Sequence, residues 1–255
     1  LDEHPWLAGP VGSPSGIGDE WLTREAERIG GHVEPGGGLL ASFASLASTK
    51  FDPARVNTQI ADFYEHTDRW RLDVEARWSP GAWPFGWMLS TVFARRLQQL
   101  ALPLLAADTA RGMESRVEVV VDDGGAQLGA AWIRTLRASS HTAYSGWYGV
   151  SQLPRATGPS VRVVFPLPNG HLTIFLAPMN DLSDGLVLTS PIAEFGDNGA
   201  YLVVVEDEGY ARVRRAPIAE EFHLYFDRER QLRTDHAVRL WTLPVLTIRY
   251  ELEHT

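Results

Sequence analysis

Two side chains able to move protons sit in phase with apolar neighbours. His236 alternates with Val238 and Leu240, and Glu220 alternates with Ile218, Phe222, Leu224 and Phe226. Alternate residues of an extended strand share a face. An imidazole and a carboxylate are therefore expected on apolar strand faces. If those faces line an interior, burial favours the neutral form of each group. The carboxyl pKa then rises and the imidazole pKa falls, which suits both to proton transfer near neutral pH. The competing reading is structural: both residues sit near strand ends, where side chains reach solvent, and a lone histidine on an apolar face is more often a hydrogen-bonded core residue.

Other chemistry is narrowed by what the sequence lacks. It has no GxSxG, HExxH, Walker-type or dinucleotide fingerprint. Its eight histidines show no metal-ligand spacing on one element. No metal and no cofactor is implied. With no cysteine, disulfides, thiolate metal sites and a thiol nucleophile are excluded. Lys50 is the single lysine, so no other position can form a Schiff base. The glycine triplet after Pro35 lacks the Gly-Lys-Ser/Thr of a phosphate loop and reads as a break in the chain.

Aromatic residues supply candidates for a ligand-binding wall. Tyr144, Trp147 and Tyr148 follow His141 on one polar–aromatic strand, and Trp132 lies on the strand before it. Trp83 and Trp87 open a helical segment and form either an aromatic lid, a surface that touches lipid, or a docking face. His171 alternates with Thr173 and Phe175, opposite Leu172, Ile174 and Leu176, and is expected on the exterior.

These residues must be positioned by a long β-rich stretch. From Met113 to Leu252, short β-branched and aromatic runs are broken by Gly, Pro, Asn and Asp. The stretch reads as about ten strands with short connections, so neighbours should pair antiparallel. The clearest hairpin is Val161–Phe165 with Leu172–Leu176, turned by Pro168-Asn169-Gly170, because Asn and Gly tolerate positive φ. Helices are expected over residues 19–29, 52–66 and 85–102, the second capped by Asp52 with Pro53 at its first position. Residues 69–78 read as a further strand.

The fold class is α+β, mainly antiparallel β: a curled sheet or up-and-down, calycin-like barrel with N-terminal helices packed as lid or plug. Residues 1–50 form an arm with a short helix, and residues 51–255 a single barrel-like domain. In strand count and order the chain resembles the calycins (lipocalins and fatty-acid-binding proteins) or a helix-packed curved sheet of the START kind. It departs from the first in carrying only Gly81-Ala82-Trp83 of a lipocalin signature, and from the second in ending on a strand. No functional residue carries over from either.

The net charge of −9 and the scattered arginines disfavour nucleic acid and a polybasic membrane anchor. No apolar run reaches the length of a membrane span. The expectation is a cytoplasmic protein without integral membrane association, able to form oligomers, that binds an apolar or aromatic small molecule inside the barrel. The alternatives are an enzyme (cyclase, isomerase or hydrolase) acting on such a molecule by proton transfer or conformational templating, and a structural or interaction protein with a filled barrel.

Overall fold

The computed structural model describes residues 3–12, 20–79, 113–136, 142–206 and 210–255. The helix expected over residues 85–102, with Trp83 and Trp87, lies outside them, as do the side chain of Tyr144 and the whole of His141.

Two α-helices are described. In α1 (Glu20–Ile29), Trp21, Leu22 and Ala26 form the buried stripe, Glu25 and Arg28 pair one turn apart, and Gly30 ends the helix at φ 75°. The second begins later than its sequence suggests. Asp52 does cap, but it caps a 3₁₀ turn, Pro53–Arg55, by accepting from the Ala54 N–H. The chain then extends, and α2 (Thr58–Glu65) starts afresh with Asn57 accepting from the Gln59 N–H. A tertiary contact causes the break: the Asn57 N–H donates to the Asp184 carbonyl at 2.8 Å and its Nδ2 to the Asp184 carboxylate at 3.1 Å.

The strands are β1 (His32–Pro35), β2 (Trp70–Trp78), β3 (Met113–Val121), β4 (Gln127–Leu136), β5 (Thr142–Ser151), β6 (Ser160–Leu167) and β7 (Gly170–Asn180). They continue with β8 (Leu186–Ser190), β9 (Gly199–Val205), β10 (Ala211–Arg215), β11 (Ile218–Phe226), β12 (Leu232–Leu240) and β13 (Leu243–His254). All belong to one antiparallel sheet of order β1-β3-β4-β5-β6-β7-β8-β11-β12-β13-β2. The β6–β7 hairpin turns through Pro168 and Asn169, the latter at φ 59°.

The path forks at β7. Its first half, Gly170–Phe175, pairs with β9, and its last residues, Ala177–Asn180, pair with β8. The β9–β10 hairpin therefore stands off the main path, and β8 pairs instead with β11. Arg215 braces this branch. Its guanidinium donates to the carbonyls of Pro191, Glu194, Asp197 and Asn198 and to the Tyr201 hydroxyl, at 2.6–3.1 Å. Arg215→Ala is expected to cost about 2 kcal/mol, since one charged donor set serves several loop acceptors. Urea denaturation checks this.

Among the described residues no ladder joins β1 to β2, so the sheet is unclosed. Of the two expected forms, a curled sheet or a calycin-like barrel, the described residues form the unclosed antiparallel sheet, and no barrel closure is present among them. The sheet is nonetheless strongly curled. One core cluster draws on both halves: Val117, Val119, Trp132 and Val163 from one, Leu186, Leu224, Leu232 and Leu252 from the other. Between them lie Leu39, Leu40, Phe43, Leu46, Ile60, Phe63 and Tyr64. The helical segments before β2 thus pack on part of the inner face, leaving Phe222 and Tyr250 half-buried, and β1 adds a strand that the sequence did not announce.

The glycine triplet serves this curl. Gly36 and Gly37 take φ values of 86° and 92°, a region that disfavours a side chain. The Gly36 N–H donates to the Val117 carbonyl, and the Asp68 N–H donates to the Gly37 carbonyl. This loop ties the β1–β3 end of the sheet to the turn that leads into β2.

The outer face is also covered. The buried stripe of α1 packs on Val120, Ala131, Ile133, Trp147 and Val164. Farther along, Leu7 packs with Leu153, Phe175, Tyr201 and Val203.

Candidate functional site

The inner face of β8, β11, β12, β13 and β2 is laid out in rows by register. Leu188, Phe222, His236 and Ile248 form one row. Ser190, Glu220, Val238 and Leu246 form the next, and Leu186, Leu224, Thr234 and Tyr250 flank on the other side. These rows place Glu220 and His236 diagonally on adjacent strands, side by side. His236 Nε2 lies 3.4 Å from Glu220 Oε2, with the side chains 10% and 13% exposed. His236 sits in the middle of β12 rather than at its end, and Glu220 is the third residue of β11.

The imidazole stacks on Phe222, its direct cross-strand partner, with centroids 3.7 Å apart and planes 13° from parallel. Neither ring nitrogen makes a hydrogen bond. The Nε2–Oε2 approach is an ion-pair distance without hydrogen-bond alignment. A buried polar group left in this state costs about 1–3 kcal/mol, which a ligand group or an ordered water would recover. Ser190 Oγ, directly opposite Glu220, is also buried without a partner.

Tyr250 and Arg134 complete the polar zone. Tyr250 is diagonal to His236, and the Arg134 guanidinium carbon lies 5.5 Å from its ring centre. Burial pushes the Tyr250 phenol up. Arg134 pulls it down and Glu220 adds to the rise. Tyr250 therefore stays protonated at neutral pH and can donate. The same guanidinium sits 4.1 Å above the Trp132 ring. Trp132 Nε1–H donates to Ser115 Oγ at 2.7 Å, and its ring packs edge-on against Phe63 and Tyr148. Burial likewise pushes the Tyr64 phenol up, with Tyr148 adding to it.

Of the aromatic candidates, Trp132 and Tyr148 face inward and lie in the same cluster as this zone's apolar surroundings. Trp147 does not. It points to the outer face, where it meets Trp21 at 6.3 Å under α1. Adjacent strand residues point oppositely, so Trp147 and Tyr148 cannot serve one pocket. His171 is on the outer face as expected, yet it is fully buried there. Arg134 and Tyr250 were missed as site residues although their signal was present. Arg134 is in phase with Trp132, and Tyr250 with Leu246, Ile248 and Leu252.

Among the described residues, no group of three or more histidine or carboxylate side chains is arranged to hold a metal ion. A shallow groove lined by Glu75, Arg77, Ser79, Thr247 and Arg249 lies on the opposite face of β2 and β13. Its two arginines are already paired with Glu75 and Asp235.

Fold and site together define a curled antiparallel sheet that sets a histidine beside a carboxylate, His236 and Glu220, on its inner face. The chain is 28% identical over 243 residues to the uncharacterized membrane protein YndJ of Bacillus subtilis (strain 168), an alignment covering 93% of this chain and 41% of that protein. It thus spans less than half the length of this relative. No family model matches the chain, and no solved structure matches it. The likeness to a protein named for the membrane overturns the expectation of a cytoplasmic protein without integral membrane association. No helix among the described residues is long and apolar enough to cross a membrane.

Proposed function

We propose that this chain is the ligand-binding portion of a membrane-associated protein. Its ligand is an apolar small molecule carrying one polar head. The apolar body lies along the inner face of the sheet, and the head meets His236, Glu220 and Tyr250. One observation carries the reading: His236 is buried on an apolar face, stacked on Phe222, with both ring nitrogens lacking hydrogen bonds. The membrane association rests on the name of the Bacillus relative alone.

The test is native mass spectrometry of protein purified from membranes in mild detergent, compared with the denatured mass. A retained adduct of a few hundred daltons that weakens about tenfold in His236→Phe supports the reading, because that variant keeps a ring against Phe222 but loses a hydrogen bond worth about 1.4 kcal/mol. Equal retention by wild type and variant would remove His236 from the site. The 3.4 Å approach of His236 to Glu220 also favours a second reading, proton transfer on the same ligand. In that case Glu220→Gln abolishes turnover while retaining the adduct.

A further inference from the structure

The outer face carries a second set of buried polar groups, remote from the inner-face pair. They lie beneath residues 3–12, which run over β6, β7 and β9. Leu7 is wholly buried on Phe175, Tyr201 and Val203, and Trp6 stands 5.5 Å from the Phe175 ring and 5.1 Å from that of Tyr201. The Gly12 N–H donates to the Leu167 carbonyl at 2.9 Å. Among the described residues, the segment's other hydrogen bonds to the sheet come from two side chains. Arg162 of β6 donates to the Ala8 carbonyl. His171 of β7 contacts the Leu7 carbonyl through Nε2 at 2.9 Å.

A carbonyl only accepts, so Nε2 carries the proton in the neutral ring and Nδ1 is the bare nitrogen. Nδ1 is buried and has no hydrogen-bond partner. A second proton on this ring would therefore meet no acceptor. It would also meet charge of its own sign: Arg162 from β6 and Arg28 from α1 both disfavour the imidazolium. Glu25 of α1 faces Arg162 but is already bound to Arg28 through two contacts, at 2.6 and 2.7 Å. From β9 the register neighbour of His171 is Val203, which is apolar. The segment itself offers carbonyls; of its titratable side chains, Glu3 and His4, the latter packs edge-on against Trp6 and Phe195.

We propose that Arg162 and His171 form an acid-released latch. At neutral pH they hold residues 3–12 on the outer face by the carbonyls of Leu7 and Ala8. Protonation of His171 frees the segment and uncovers the apolar patch of Leu153, Phe175, Tyr201 and Val203. Arg162 remains charged throughout, burial lowering it only to about 10. Burial, Arg162 and Arg28 hold His171 down at about 4, against the Leu7 carbonyl, which raises it. The sign follows: with the closed form titrating below the ordinary histidine value, closure is complete above about 6.5 and weakens as pH falls toward 4. Linkage between those two values multiplies the opening constant by roughly seventy between pH 7.5 and pH 4.5.

Hydrogen–deuterium exchange of the intact chain tests this, with each amide corrected for its intrinsic rate. The expected result is a rise of roughly fifty- to a hundredfold in the opening of the Ala8 and Gly12 amides from pH 7.5 to 4.5. The β4–β5 amides should stay protected in the same sample. In His171→Gln, which keeps a neutral N–H donor and cannot be protonated, the rise should vanish. Protected Ala8 and Gly12 amides in the wild type at pH 4.5, or the same rise in His171→Gln, overturn the latch. Should the variant fail to fold, the imidazole resonances of wild-type His171 decide. Titration near 6.5 with the segment still protected overturns the proposal, and titration coincident with segment opening supports it.

Discussion

Truncating Trp147 to alanine is expected to lower the unfolding free energy by about 4 kcal/mol, the usual cost of deleting a large buried aromatic ring. Trp147 is 5% exposed and packs edge-on against Trp21, which is itself anchored by a hydrogen bond from Nε1 to Ser145 Oγ at 2.9 Å. Gly129, on the neighbouring strand, is shaped to receive this ring. A methyl group added there would lie 2.1 Å from Trp147 Cζ2 and under 3 Å from two more ring atoms. Gly129→Val should therefore also destabilise strongly, because the ring is pinned between sheet and helix and cannot yield. The two substitutions should not add. In the Trp147→Ala background the valine fills part of the vacated space, and a double-mutant cycle should show a favourable coupling of at least about 1 kcal/mol. Strict additivity in urea denaturation would mean that the two positions share no space. Ligand retention by Trp147→Ala should match the wild type under conditions where both are folded, since the ring faces away from the inner surface.

The second large effect is expected at Gly38. A Cβ there would lie 2.2 Å from the Glu65 carbonyl carbon and 2.3 Å from its oxygen. These are main-chain atoms of the last residue of α2, so no rotamer change relieves the collision. The approach is fixed on both sides. The Leu40 N–H donates to the Tyr64 carbonyl at 3.0 Å, Gln127 Nε2 donates to the Gly38 carbonyl at 2.9 Å, and the Phe43 N–H donates to the Glu65 carboxylate at 2.6 Å. Gly38→Ala must push the loop off the helix end and break part of this set, at about 3 kcal/mol or more. Thermal denaturation should show the loss. A near-neutral alanine would mean that the loop and α2 separate freely, and that the close approach does not require glycine at the third position of the triplet.

The consequence reaches the inner face. Phe43, Phe63 and Tyr64 are held inside the curl by the same contacts, and Phe63 packs on Trp132 beneath Arg134. Loosening Gly38 therefore loosens the wall of the proposed ligand site. Gly38→Ala should therefore weaken ligand retention even under conditions where the variant is still folded.

Much of this arrangement was legible along the chain. Strand alternation put Glu220 with Phe222 and Leu224, and His236 with Val238. The inner face of β11 and β12 has that composition because a two-residue period leaves each side chain only two choices. The Pro168–Asn169 turn was legible for a similar reason, since it depends on the φ preferences of the residues within it. So were α1 and the capping role of Asp52, each set within a few neighbouring residues.

What lay beyond the chain's local pattern was decided by partners distant in sequence. The expected helix over residues 52–66 is split because Asn57 bonds to Asp184. Trp147 and Tyr148 read alike as aromatic candidates, but α1 covers one face of β5 and residues 39–64 fill the other. His171 falls on the expected outer face, and only residues 3–12 make that face an interior. The fork at β7, which carries β9 and β10 off the path and brings β8 to β11, has no sequence signal, because backbone ladders pair any two strands whose edges are free. Local periodicity decides which way a side chain points. Which element covers it, and whether a histidine so pointed is buried with its nitrogens unmet, is settled only when the sheet curls and the rest of the chain packs against both its faces.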